Sequence, residues 1–265
     1  MATKRMPPGD LGLTTVAARV IFSPDDEPSG RVDMAVRRLS EAIRLGLLLD
    51  GERLPAEATL AEQMGVATVT LREALALLRE RGMIETRRGR RGGHFVTALR
   101  NRTAGLYERL REFSTEGLRD LGDHRSAVAG MAAKLAAYRA VPSEIEGLAQ
   151  RLERFRQARE ASELRRADAE FSLAVAAAAQ SPRLAVEELR LRAEIGDLLW
   201  LEFAGEDVEH AGTQRARMVE AIEGRDADLA RDLAEQGVAR DTRRLLELRL
   251  HAYRIDSLED GTVRP

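Results

Sequence analysis

Residues 54–96 read LPAEATLAEQMGVATVTLREALALLRERGMIETRRGRRGGHFV, and the arrangement of this stretch decides the fold. Leu54-Pro55 enters extended, because the residue before a proline avoids the α region. A short helix is expected over Glu57–Met64, stopped by Gly65. A second is expected over Thr68–Arg81, with Leu71, Ala74, Leu75 and Leu78 inward and Gly82 as its cap. Met83–Thr86 and His94–Thr97 are short strand candidates on either side of Arg87-Arg88-Gly89-Arg90-Arg91-Gly92-Gly93. The glycines there permit positive φ and a tight bend. Helix, glycine turn, helix and arginine-tipped hairpin make a unit that can read a DNA duplex.

Upstream, a helix is expected from Asp33, an N-cap candidate, to Leu47, with Leu39, Ala42, Ile43 and Leu47 on one face. Asp50-Gly51 then turns the chain. Residues 1–31 carry Pro7, Pro8, Pro24 and Pro28 without sustained periodicity and read as a loose arm, with a short ordered piece at Leu13–Phe22. Beyond a connector near Ala98–Thr103 the character changes. From about Gly105 to Tyr253 the chain is rich in Ala, Leu, Glu and Arg, all good helix formers. Punctuation falls at Gly117–Gly122, Val141-Pro142-Ser143, Gln180-Ser181-Pro182, Ala204-Gly205 and Gly224-Arg225-Asp226. Pro142 and Pro182 suit first-turn positions, and Asp226 suits an N-cap.

The fold class is therefore mainly α: a winged helix-turn-helix over 32–98, then an all-α bundle of six or seven helices over 104–253. A flexible arm (1–31) and a polar tail (254–265) flank them.

The chain has 265 residues, 44% of them hydrophobic, enough for two cored domains. It has no cysteine, which excludes disulfides and thiolate metal sites. No apolar run approaches the roughly 20 residues of a membrane span, and no signal peptide precedes the charged start, so a soluble cytoplasmic protein is expected. Net charge is only −2, with 16 Lys+Arg against 13 Asp+Glu in the first hundred residues and 26 against 31 in the rest. Clustering of the basic residues matters more than that sum.

Four spaced motifs agree in order: Gly51–Glu57, Leu60–Val66, Leu71–Leu75 and Arg81–Gly89. By them, residues 32–97 resemble the GntR family of bacterial transcription regulators. The resemblance implies a winged helix-turn-helix that binds palindromic duplex operators as a homodimer. A recognition helix puts its first residues nearest the base edges, here Ala67, Thr68, Val69, Thr70 and, one turn in, Arg72. Arg72, which matches an arginine that the family uses on DNA, can fork onto guanine or grip a phosphate. Thr68 and Thr70 can donate to phosphate or touch a thymine methyl. The bland alternative for Arg72 is a surface ion pair worth little. Arg87, Arg88, Arg90 and Arg91 can follow phosphates or enter the minor groove, or simply form a solvated loop. His94 is either a phosphate donor or a strand residue. The family commonly carries an arginine where this chain has Ala58 and another where it has Thr68, so the operator is expected to differ from those of typical relatives.

The helical part resembles the FCD ligand-binding domain of the FadR subfamily. The motifs are Arg125 with Ala132–Ala137, Asp168–Phe171, Ser181–Leu184 and Met218–Gly224. In that domain an Asp and three His usually hold a divalent metal, the first two at i and i+4 on one helix face. Asp168 matches the Asp, but Ser172 and Arg215 stand in two of the His places, and the third falls near Gln236 or Gly237. His124, His210 and His251 do not rebuild the spacing. No metal and no other cofactor is therefore expected. Arg215, with Arg125 near the cavity, suits an anionic effector such as a carboxylate or an acyl-thioester. Equally, Arg215 can merely neutralise Asp168 in a structural pair. The effector-site candidates are thus Arg125, Asp168, Ser172 and Arg215, and Trp200 reads as core or dimer interface.

An enzyme is not indicated. Lys134 is the only lysine of the second part, and no nucleophile–base motif or phosphate loop occurs. The expected function is a ligand-responsive regulator, usually a repressor; the alternative is a constitutive DNA-binding protein whose helical part only dimerises. An empty, polar-lined cavity in the bundle would discriminate between them.

Overall fold

The computed structural model describes residues 30–89, 92–97 and 102–259, the side chains of 102–104 and 253–259 excepted. The arm with its piece at Leu13–Phe22, and Arg90 and Arg91, lie outside the described residues. The chain divides into two compact units, Met1–Leu99 and Arg100–Pro265.

The first unit is built from α1 (Arg31–Arg44), α2 (Glu57–Met64), α3 (Thr68–Glu80), β1 (Ile84–Arg87) and β2 (Gly93–Val96). Helix α1 starts earlier than the sequence suggests. Gly30 is its N-cap, and Asp33 sits in the first turn, where a carboxylate favours the helix dipole instead of capping it. Leu47 is buried as expected but lies past the helix end; its N–H and that of Leu48 both donate to the Ala42 carbonyl, wrapping the turn back over α1.

Gly65 ends α2 at φ 66°, the left-handed region that a side chain resists, and so permits the tight step into α3. Both α1 and α2 pack on α3. The core gathers Leu39, Ile43, Leu60, Met64, Leu71, Leu75 and Leu78, closed by Ile84 and Val96 of the hairpin. The strands pair antiparallel in the register Ile84↔Val96, Glu85↔Phe95, Thr86↔His94 and Arg87↔Gly93. Each lies one residue from its expected start or end. Residues 52–54 flank the hairpin: Leu54 N–H donates to the His94 carbonyl at 2.8 Å and Val96 N–H to that of Glu52 at 2.9 Å. That edge pairing brings the start of α2 beside β2.

The second unit holds seven helices among the described residues: α4 (Arg102–Glu112), α5 (Thr115–Arg139), α6 (Pro142–Gln157), α7 (Ala161–Ala178), α8 (Pro182–Ile195), α9 (Gly205–Glu223) and α10 (Ala227–Glu259). Pro142 and Pro182 occupy first-turn positions. Asp226 caps α10 by accepting from Leu229 N–H at 3.0 Å.

Three expectations need correction. Gly117–Gly122 is no break. Ser114 caps α5, its Oγ accepting from Gly117 N–H at 2.8 Å, and the helix runs straight through. Gly122 serves close packing instead, since a Cβ there would stand 2.6 Å from Thr242 Oγ1 on α10. A break that the punctuation did not announce separates α6 from α7 at residues 158–160. Finally, α10 continues to Glu259, through the start of the expected tail. Helices α5 and α10 share the most extensive interface, and α9 packs on α5, α6 and α10. The core gathers around Leu118, Phe155, Leu164, Leu198, Trp200 and Leu245. Among the described residues no helix is long and apolar enough to cross a membrane.

Candidate nucleic-acid interface and effector cavity

Helix α3 presents a helix end prepared for anions. Its N-cap, Ala67, offers no side-chain bond, and the first turn holds no acid. The leading N–H groups are thus left to outside acceptors at the positive end of the dipole. Val69 projects there, 64% exposed, between half-buried Thr68 and Thr70. An exposed branched methyl pair at this position suits a thymine methyl; only exposure, which sequence does not display, singles it out.

One turn on, exposed Arg72 donates from Nε to Glu57 Oε2 at 2.6 Å. The other oxygen of the same carboxylate stands 3.3 Å from His94 Nε2, and His94 Nδ1 lies 3.1 Å from Thr86 Oγ1. Arg72, then His94, holds the Glu57 carboxyl below its usual range. Glu57 therefore joins the recognition helix to the wing, a role that residues 15 and 37 positions apart in sequence could not announce. Both ring nitrogens of His94 are engaged inside the unit, which leaves neither for a phosphate in this arrangement.

At the hairpin, Arg87 is bound to Glu85 at 2.6 Å, and its guanidinium lies 4.3 Å from the Phe95 ring centre. Arg87 is thus braced along the wing, whereas Arg88 is exposed.

In the helical unit, Asp168 on α7 is buried, 2% exposed, and both of its oxygens are taken. Oδ1 accepts from Arg215 on α9, and Oδ2 accepts from Arg192 at 2.6 Å and from Trp200 Nε1 at 3.2 Å. Burial alone would raise the Asp168 pKa; the guanidinium charges of Arg192 and Arg215 outweigh it and hold the carboxyl below its usual range. Burial pushes Arg192 the other way, but Asp168 and Glu188 overcome it and raise its pKa. Glu188 accepts from Arg192 Nε at 3.0 Å. Arg215 also donates to the Ala211 carbonyl and lies between the Phe155 and Phe171 rings, its guanidinium carbon 4.3 Å and 5.7 Å from their centres.

This cluster bears on the metal site that the resemblance implies. A divalent cation at Asp168 would meet two guanidiniums already bound to its oxygens, with Ser172 and Arg215 in place of imidazoles. Among the described residues no three His, Cys, Asp or Glu side chains gather to hold a metal. The residues present do not fit one.

Beside the cluster lies a cavity of about 90 Å³. Phe171, Val175, Leu199, Met218 and Leu233 give it an apolar wall; Ser172, Gln214 and Arg215 place polar groups on it, and Asp207, Arg240 and Arg244 complete its charged side. Trp200 lines it too, so the indole is both core and wall. The four expected effector residues are only partly brought together. Ser172 and Arg215 line the cavity; Asp168 stands behind Arg215; Arg125 stands behind the lining residue Asp241, to which it donates at 2.9 Å. The two readings of Arg215 are not exclusive: it neutralises Asp168 and lines a cavity at once. Sequence reasoning missed Arg192, Glu188 and Arg240 here. Arg240 Nη1 is buried without a hydrogen-bond partner among the described residues, and Asp207 stands 3.5 Å from its other terminal nitrogen.

Residues 31–96 match the description "Bacterial regulatory proteins, gntR family", and residues 120–240 match "FCD domain". Over 228 residues the chain is 41% identical to the HTH-type transcriptional regulator RmpR of Mycobacterium gastri, covering 83% of this chain and 82% of that one. It is 32% identical over 197 residues to the HTH-type transcriptional regulator Rv0494 of Mycobacterium tuberculosis, covering 73% and 75% of the two chains. Among solved structures, E. coli McbR/YncC aligns with a TM-score of 0.51 at 19% identity, over 82% of this chain and 98% of that chain, which speaks for the fold alone.

Proposed function

Given that this chain belongs to the GntR family of DNA-binding transcription regulators and carries an FCD domain, we propose that it is a ligand-responsive repressor. It binds a palindromic operator as a homodimer and is released when a small anionic metabolite enters the helical unit. It is a regulator and not an enzyme. The observation that carries the sensing part is the cavity lined by both apolar and polar side chains, since a bundle serving only to dimerise has no need of one. Coupling then rests on different DNA affinities of the empty and filled forms.

In this reading the leading turn of α3 enters the major groove. Thr68, Val69 and Thr70 meet phosphate or thymine methyls, Arg72 reads guanine, and Arg87, Arg88, Arg90 and Arg91 follow the backbone from the wing. His94 supports the wing through Glu57. In the cavity, Asp168 already neutralises Arg215, so the positive charge left for an anion comes from the Arg240 side, with Ser172 as a hydroxyl donor. Arg125 acts from behind Asp241. The domains that this requires are a winged helix-turn-helix that takes in α1 from Arg31 and runs to about residue 98, and an effector and dimerisation domain that runs from about residue 104 to the end of α10 at Glu259.

Two measurements test the proposal. Arg72→Ala is expected to lose about 1–3 kcal/mol of discrimination between the preferred duplex and one altered at the base pair that Arg72 reads. Unchanged discrimination by fluorescence anisotropy would remove Arg72 from that role. For the sensing part, a melting screen over carboxylates and acyl-thioesters is expected to find a compound that raises Tm and weakens operator binding. At a hundredfold excess over Kd the stabilisation is about 2.7 kcal/mol. Compounds that raise Tm without altering DNA affinity would instead favour a constitutive DNA-binding protein.

A further inference from the structure

The Glu57 carboxylate stands where two DNA-facing elements meet, and neither of its bonds is needed for the fold of α2. An acid in a first helical turn gains its modest dipole stabilisation by position alone. Here the carboxylate reaches out of that turn, with one oxygen on Arg72 of α3 and the other on His94 of β2.

We propose that Glu57 is a positioning residue for sequence recognition: by holding Arg72 Nε and the wing histidine on one carboxylate, it aims the free end of the Arg72 guanidinium at a base edge. The inference rests on the reading of Arg72 given above.

The geometry of the guanidinium supports it. That group carries five N–H donors in a rigid planar fork. Its side edge, bearing Nε–H, is occupied by Glu57 at 2.6 Å. Its far edge, bearing Nη1 and Nη2, remains for two parallel bonds to guanine O6 and N7. An exposed arginine without an anchor samples many rotamers and is ordered only upon binding. This one is oriented beforehand, and the wing that holds His94 shares the anchor. The device matters more because Ala58 and Thr68, at the starts of α2 and α3, carry no guanidinium. Guanine reading there falls on Arg72.

A carboxylate so close to the groove also repels phosphates. Its removal therefore has two effects of opposite sign. Discrimination falls, because the fork is no longer aimed; affinity for arbitrary sequence holds or rises, because a negative charge has gone. A carboxylate that served only the fold of the unit would lower both together.

The test uses the full chain and the duplex that the wild type selects from a random pool. Affinities are measured for that duplex, for its single-base variants and for an unrelated duplex. Glu57→Ala is expected to lose about tenfold discrimination at one base pair of each half-site, with binding to the unrelated duplex unchanged or tighter. Glu57→Gln, which keeps volume and an acceptor for Nε–H, is expected to fall between. In an Arg72→Ala background, Glu57→Ala is expected to add nothing at that base pair.

Discrimination equal to the wild type in both Glu57 variants overturns the proposal and leaves the reading of Arg72 standing. So does a loss that persists without Arg72. An Arg72→Ala protein with the wild-type profile overturns both. Melting curves of each variant show whether the unit is folded; should Glu57→Ala unfold, Glu57→Gln decides by the same comparison.

Discussion

Asp168→Ala is expected to destabilise the helical unit by about 3–5 kcal/mol, the cost of leaving a buried charge without its partner. The side chain it removes accepts from Arg192, Arg215 and Trp200. Arg192 would keep Glu188, but Arg215 would keep only a backbone carbonyl and two aromatic faces. Chemical denaturation followed by circular dichroism measures the change; a loss below about 1 kcal/mol would mean that water enters and solvates the arginines. The pH dependence has a definite sign. Because Asp168 has a lower pKa folded than unfolded, the unfolded chain takes up the proton more readily. The stabilisation is fully present above the ordinary aspartate range and drains away as pH falls below about 4. Asp168→Asn should remove this part of the acid limb of the stability profile.

The other large effect is expected from the wing. Replacing Arg87, Arg88, Arg90 and Arg91 together by Ala should flatten the plot of log affinity against log salt by about 0.9 for every arginine that touches a phosphate. In the homodimer proposed above, two copies on one operator would double the number. Single variants refine the picture. Arg88, exposed beside the turn, should change the slope more than Arg87, which Glu85 and Phe95 already hold. An unaltered slope in the fourfold variant would take the wing off the backbone altogether.

How far the residues alone announce this arrangement depends on the reach of each interaction. Proline and glycine act locally, so the ends of α2 and α3, the hairpin, and the starts of α6 and α8 are legible at Gly65, Gly82, Pro142 and Pro182. Glycine is ambiguous, however. Gly117 and Gly122 look like punctuation until α10 is seen packed against α5, and no pattern near residue 122 points to Thr242. The break at 158–160 fails to show for the converse reason: Ala, Arg and Glu there are good helix formers, and Glu163 turns the chain by capping Arg159 and Glu160 N–H from its side chain. In the site, Arg72 and the wing arginines follow from position in a motif. Glu57, Arg192 and Glu188 do not, because their partners are chosen by tertiary packing. Asp168 and Arg215 can be named from sequence, but whether they form a pair or line a cavity cannot, and they do both.

One consequence follows from Trp200. It is the only indole in the chain, its N–H is bonded to Asp168, its ring is tilted against Phe155 with the centres 5.3 Å apart, and it faces the cavity. The protein thus carries a built-in optical label at the heart of its charged cluster. Loss of the carboxylate or arrival of a guest should alter the colour and brightness of this one indole, read without any dye when excitation is set to the red of where the three tyrosines absorb.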